Sequence, residues 1–286
     1  MLRQFLPLAY PVNLAYHELL RTFGRQKPQL RVLLYHDVSP GELNNVAATL
    51  RWLQDRWIFL SPQEFESIIS GRISLNQDAL LLTFDDGFAS NRIVAEEVLK
   101  PLGIQAIFFV VTDFIDQPDI ASARAFICER LKVASAPALL SAHYQNMNWA
   151  DLARLLDLGH SIGAHTNSHE RLTSNVNMDL LHKEVIGCAD RIESELSTHV
   201  RHFAFPFGNF ASFSQPAMEL AKTRFDFIHS GLRGNNYLLK TPYAIRRESL
   251  KPDDHRFLVG ALVKGASDFR YRRFIKILDQ WASGQV

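Results

Sequence analysis

The sequence predicts an α/β protein whose parallel strands alternate with helices and curl into a barrel. Three observations predict it. Apolar runs of strand length recur between stretches with helical spacing, the order expected of repeated βα units. One of these runs, Leu80-Leu81-Leu82-Thr83-Phe84, is almost wholly apolar, as a strand buried on both faces must be. Helix starts between the runs carry their own caps. In Ser61-Pro62-Gln63-Glu64, Ser61 can cap, Pro62 suits the first turn and Glu64 completes a capping box.

In chain order, residues 31–35 read as the first strand and 44–57 as a helix. The Ser61 helix is stopped by Gly71. The strand at 80–84 follows, then a helix over 90–100 ended by Pro101 and Gly103, then a strand over 104–111. Residues 112–146 lack a clear period and read as an insertion beside the site, with a helix near 123–133. Asn148 and Asp151 start a helix that Gly159 ends, leading into a short strand before His165. Leu181, Val185, Cys188, Ile192 and Leu196 repeat at helical spacing and give one buried face. Residues 203–205, 225–228 and 243–245 read as the last strands.

Composition narrows the function. The chain has 286 residues, 47% of them hydrophobic, enough for one large barrel, and the whole of 1–286 is read as a single domain. A net charge of +1 gives no footprint for nucleic acid. Cys128 and Cys188 stand far apart and form neither a zinc pattern nor a disulfide framework. No secretory signal and no membrane-spanning run is read, so a cytoplasmic location is expected. Residues 1–29 read as a helix packed on the core or lying on a membrane surface. The run Phe269-Arg270-Tyr271-Arg272-Arg273-Phe274-Ile275-Lys276 reads as a helix with a solvated basic side, or as a contact with an anionic surface.

Two stretches carry the chemistry. The buried run ends in Asp85-Asp86-Gly87, where each ionised carboxylate loses water near a core. A bound cation would offset that cost; a plain polar turn is the other reading. His165 and His169 stand four residues apart, and a helical turn would place both on one face. Two histidines and a carboxylate suit zinc or a similar divalent ion, although such a pair also occurs on ordinary surface helices. In a parallel barrel, residues at the C-terminal strand ends share one mouth. That would bring Asp85, Asp86, His165 and His169 together.

Thr83-Phe84-Asp85-Asp86-Gly87 with His165-Thr166-Asn167-Ser168-His169 resembles the first two motifs of the polysaccharide deacetylases, carbohydrate esterase family 4 with its NodB homology domain. Phe203-Ala204-Phe205-Pro206-Phe207-Gly208 resembles the third motif, and Leu33-Leu34-Tyr35-His36-Asp37-Val38 the opening strand. The resemblance runs from about residue 30 to about 260, flanked by helical extensions, and implies a distorted (β/α)7 barrel. It implies that Asp86, His165 and His169 hold a divalent metal, zinc first, with cobalt, nickel or manganese as alternatives. It makes Asp85 the general base, Arg247 its orienting partner, and Pro206, Phe207 and Gly208 a groove-lining turn whose Phe207 N–H faces the oxyanion. Arg247 could equally form a surface salt bridge, as Arg246 could. The general acid departs from the pattern, with no Leu-x-His motif near the C-terminus. His229 is the first candidate, His36 the second and His255 the third. The implied activity is removal of an N-acetyl group from an amino sugar of a polysaccharide, lipopolysaccharide or glycolipid precursor. An amidase or deformylase on another N-acyl substrate and a glycan-binding pseudoenzyme are the alternatives.

Overall fold

The computed structural model describes residues 27–237 and 239–284. The expectation for residues 1–29 falls almost wholly outside them. The strands are β1 (Leu30–Tyr35), β2 (Ile58–Phe59), β3 (Ala79–Phe84), β4 (Ala106–Val110), β5 (Ser161–Ala164), β6 (His202–Ala204), β7 (Phe227–His229) and β8 (Glu248–Ser249). They form one eight-stranded sheet in the order β7-β6-β5-β4-β3-β1-β8, with β2 beside β3. Every strand pair in it is parallel. The sheet curls into a half-barrel wrapped by helices. The chain from Ile245 to Ser249 spans the open side, with Ile245 bridging His229 of β7 and β8 pairing with β1.

Strand alternation sorts the apolar side chains into two cores. Val32, Leu81, Ile107, Phe109 and Phe227 fill the barrel, closed at one end by Phe65. Leu33, Leu82, Phe108 and Phe203 face outward, under the helices, with Val185, Cys188 and Ile192. All of β1, β3 and β4 is buried, which is why these strands read as unbroken apolar runs. Gly163 lies where a Cβ would stand 2.5 Å from the Phe109 ring, so glycine lets that ring occupy the barrel.

The helix starts form as the caps require. Ser61 accepts from Glu64 N at the head of Pro62–Ile69, and Asn148 from Asp151 N at the head of Trp149–Asp157. Three local expectations are corrected. The 90–100 helix runs from Ala89 through a π-turn, Ala95–Leu99, to Leu102, carrying Pro101 in its last turn; left-handed Gly103 ends it. Residues 243–245 do not form a strand, and only Ile245 makes a bridge. The amide and carbonyl of the next residue, Arg246, are taken by the Asn236 side chain, and the last strand starts at Glu248. His165 to His169 is not helical, since Thr166 (φ 67°) and His169 (φ 59°) are left-handed.

Candidate metal centre and groove

Asp85 and Asp86 leave the end of β3, and His165 leaves the end of β5. Asp86 has φ 77° and is followed by Gly87 at φ 103°. Strand alternation and this turn leave the two carboxylates with different principal partners. Asp85 pairs with Arg247, its Oδ2 also lying 3.7 Å from His165 Nε2, while Asp86 faces both histidines. Asp86 Oδ1 lies 3.5 Å from His165 Nε2 and 3.4 Å from His169 Nε2. The three ligand atoms lie within 4.8 Å of one another.

The tautomers follow from the partners. His165 Nδ1 donates to the Ala204 carbonyl at 2.8 Å, and His169 Nδ1 to the Arg130 carbonyl at 3.2 Å, because a carbonyl only accepts. Burial lowers the His165 pKa to about 4, against the pull of Asp85 and Asp86. His165 is therefore neutral at pH 7, and its Nε2 carries a lone pair toward Asp86. Asp86 Oδ1 is buried and has no hydrogen-bond partner among the described residues. Converging lone pairs beside an orphaned carboxylate oxygen fit a divalent cation, and the donor set is one that zinc takes.

The histidine loop is braced from behind. Glu184 accepts from the Ser168 amide at 2.8 Å and hydroxyl at 2.7 Å. Asn167 bonds Thr112 and Asp113. The sequence carries one sign of Glu184: it lies three residues after Leu181 and four before Cys188, a carboxylate on the apolar stripe.

Arg247 is buried and grips Asp85 with both terminal nitrogens, Nη1–Oδ1 at 2.6 Å and Nη2–Oδ2 at 2.9 Å. Burial alone would raise the Asp85 pKa. The charge of Arg247 and its hydrogen bonds outweigh it and hold the carboxyl below its usual range. Arg247 Nε also donates to the Ser230 carbonyl at 2.9 Å. Arg246 instead pairs with half-exposed Asp279, so the two adjacent arginines divide the structural and site roles.

The Pro206-Phe207-Gly208 turn docks on the loop after β7. A Cβ on Gly208 (φ 61°) would stand 2.6 Å from Gly231 N. Phe207, also left-handed at φ 58°, places its ring 4.5 Å from that of His169. A groove of about 470 Å³ opens over Asp86 and His169, with His36, Tyr144, Phe207 and Lys251 among its walls. Leu131, Val133 and Tyr144 bring the 112–146 insertion to its edge.

The three candidate acids separate. His36 is exposed and lines the groove. His229 is corrected as an acid: alternation on β7 turns it into the barrel, fully buried, against Phe109 and 3.1 Å from His202 Nδ1. His202 in turn bonds Glu66, away from the groove. His255 caps the helix Arg256–Val263.

The comparisons with known proteins agree with this geometry. The polysaccharide deacetylase family model matches residues 72–224. The Bacillus subtilis (strain 168) protein YxkH, whose name places it in the same family, is 32% identical over 93 residues. That match covers 30% of this chain and 33% of YxkH, so the chain spans about a third of the curated relative it matches. The structure of IcaB from Ammonifex degensii superimposes with a TM-score of 0.65 at 23% identity, over 84% of this chain and 99% of that one. The Streptococcus pyogenes deacetylase PplD, solved in complex with acetate, has a TM-score of 0.65 at 18% identity, over 82% of this chain and 99% of that one. At these identities the likeness is one of fold, the curled parallel half-barrel of NodB-like deacetylases. With the family match spanning more than half its length, this chain belongs to the polysaccharide deacetylase family.

Proposed function

We propose that this protein is a metal-dependent N-deacetylase acting on an amino sugar of a polysaccharide, lipopolysaccharide or glycolipid precursor. The observation that carries this reading is the convergence of Asp86 Oδ1 with the Nε2 atoms of His165 and His169, in a site that burial keeps unprotonated at His165. Asp86, His165 and His169 hold the cation, zinc in first place. Bound there, it supplies Lewis-acid polarisation of the acyl carbonyl and a more acidic water.

The chain's own groups do the rest. Asp85 takes the proton of the attacking water, and Arg247 keeps it ionised and oriented through two bonds. The Phe207 N–H is assigned to the developing oxyanion. His36, at the groove's edge, gives the leaving amine its proton. One water is consumed, the C–N bond breaks, and acetate and a free amine leave. A cytoplasmic setting, at the inner face of a membrane where such precursors are built, belongs to the same proposal. Among the described residues, no helix is long and apolar enough to cross a membrane.

The test is metal content measured with acetate release from N-acetylglucosamine oligomers. Stoichiometric metal and acetate release are expected, both lost in Asp86→Asn and His165→Ala. Full activity in either variant, or in protein stripped by chelator, overturns the proposal. Formate release from N-formyl substrates, without acetate release, would move it to a deformylase.

A further inference from the structure

A second concavity, of about 450 Å³, lies beside the groove, and three segments wall both. The turn after β1 gives His36, Asp37 and Glu42 to the groove, and Val38, Pro40 and Leu43 to its neighbour. The chain after β3 gives Phe88 to the groove, and Ala89, Ser90 and Ile93 to the neighbour. The end of the insertion gives Tyr144 to the groove, and His143 and Gln145 to the neighbour. Residues adjacent in sequence thus stand on opposite sides of one partition. Asp37 ties it together: Oδ1 accepts from Ser90 Oγ at 2.8 Å, and Oδ2 from His143 Nε2 at 2.9 Å. The side chains of His143 and Asp37 are 20% and 12% exposed, so the edge of the partition meets solvent.

The two spaces differ in chemistry. The groove offers charged groups of both signs, among them Asp86, Asp253, His36 and Lys251. Its neighbour offers an apolar surface from Val38, Pro40, Leu43, Ala89 and Ile93. The polar side chains beside them are engaged within the protein. Ser90 and His143 serve Asp37. Arg92 pairs with Glu96 at 2.6 Å and Asp151 at 2.9 Å. Gln145 donates to the Ala142 carbonyl at 3.4 Å. Glu97, the remaining wall residue, is exposed. A sugar ring buried here would leave hydroxyls short of partners, which costs free energy. An aliphatic chain would only take apolar surface out of water, which is favourable.

We propose that the second concavity binds the first methylenes of a lipid chain, and that the substrate is a glycolipid: an N-acyl amino sugar in the groove whose lipid crosses the Asp37–His143 edge. This rests on the deacetylase reading of the groove and names the substrate class within it.

The experiment compares methyl, butyl and octyl glycosides of N-acetylglucosamine on the metal-loaded, full-length protein, each below its micellar concentration. The readouts are KM for acetate release and, independently, binding followed by calorimetry. Each methylene that enters the concavity is worth about fourfold in affinity, so burying about three makes the octyl glycoside bind roughly 50-fold more tightly than the methyl one. In Ile93→Asn, and in Ala89→Leu, which narrows the space, the octyl-to-methyl ratio should fall at least about fivefold, with methyl glycoside binding unchanged. A ratio near one in the wild type, or a ratio unmoved by both variants, overturns the subsite. Methyl chitobioside serves as the sugar control. If it gains as much as the octyl compound and loses that gain in both variants, the concavity holds a sugar ring and the proposal fails. The deacetylase reading is judged separately, by turnover of the methyl glycoside. If nothing turns over, the calorimetric ratio decides the subsite.

Discussion

Asp85 and Arg247 form a buried pair whose two halves come from opposite ends of the sequence. Removing the arginine leaves a carboxylate buried without its partner. Arg247→Ala should therefore lower stability by about 3–5 kcal/mol, read from the urea midpoint, as well as slowing acetate release. Arg247→Lys should recover part of the stability, since the charge stays but the fork is lost. A variant as stable as wild type would mean that Asp85 is solvated or protonated in solution. At the same scale, His36→Gln should slow turnover of amides far more than turnover of activated aryl acetates, whose leaving groups need no proton. Equal losses on both would remove His36 as the acid.

At the scale of elements, the site depends on turns that only fit in one way. The Pro206 turn closes against Gly231, and Gly208 is left-handed with backbone 2.6 Å from where a Cβ would stand. Gly208→Ala should cost about 1–3 kcal/mol, seen as a lower denaturation midpoint. It should lower kcat as well, because Phe207 moves with the turn. Unchanged kcat would detach the turn from the chemistry. Glu184→Gln keeps the size but drops the charge that holds Ser168. Metal affinity should fall 10- to 100-fold in a competition titration, the usual effect of losing a group behind the ligands. How much of each element was legible is uneven at this scale. Capped helices and buried strands could be read because their signals are local: Ser61 with Glu64, Asn148 with Asp151, and the apolar run of β3. The strand expected at 243–245 failed because a side chain from another loop, Asn236, takes the bonds of Arg246.

For the whole molecule, pH acts through buried histidines and one buried glutamate. Burial lowers His160 and His165 to about 4 from an ordinary 6.5. Between those values the unfolded chain takes up protons that the folded chain refuses, so both histidines make stability fall as pH falls from about 6.5 to 4. Burial raises Glu248 to about 7 against the charges of Arg31 and Arg233. The folded state then holds the extra proton, and this one contribution strengthens as pH falls from about 7 to 4.5. Burial lowers His202 and His229 in the same direction, so the histidines together outweigh Glu248 and leave a net loss on acidification. Chelated protein should lose stability at one proton's slope or more, at least roughly 1.4 kcal/mol per pH unit, across pH 6.5 to 4.5. A flat profile in urea titrations would mean that these histidines are hydrated. The C-terminal helix Arg272–Ser283 presents exposed Phe274, Arg272, Arg273 and Lys276, with exposed Phe269 just before it. Peripheral contact with a membrane predicts salt-sensitive co-flotation with anionic vesicles; no flotation at low salt removes that contact.

The sequence by itself determined the fold class and the chemical parts of the site. Alternating buried runs and capped helices follow from local periodicity, and paired aspartates and spaced histidines can be seen wherever they fold. Only the tertiary structure decided which of these residues meet. It turned His229 into the barrel and left His36 at the groove, because strand alternation and curl set which side a terminal residue faces. It gave Arg247 to Asp85 and Arg246 to Asp279, a choice between neighbours that no local pattern encodes. It also placed His165 and His169 on one point through left-handed turns rather than a helix. A left-handed non-glycine residue is held by its surroundings, and those surroundings exist only when the barrel is closed.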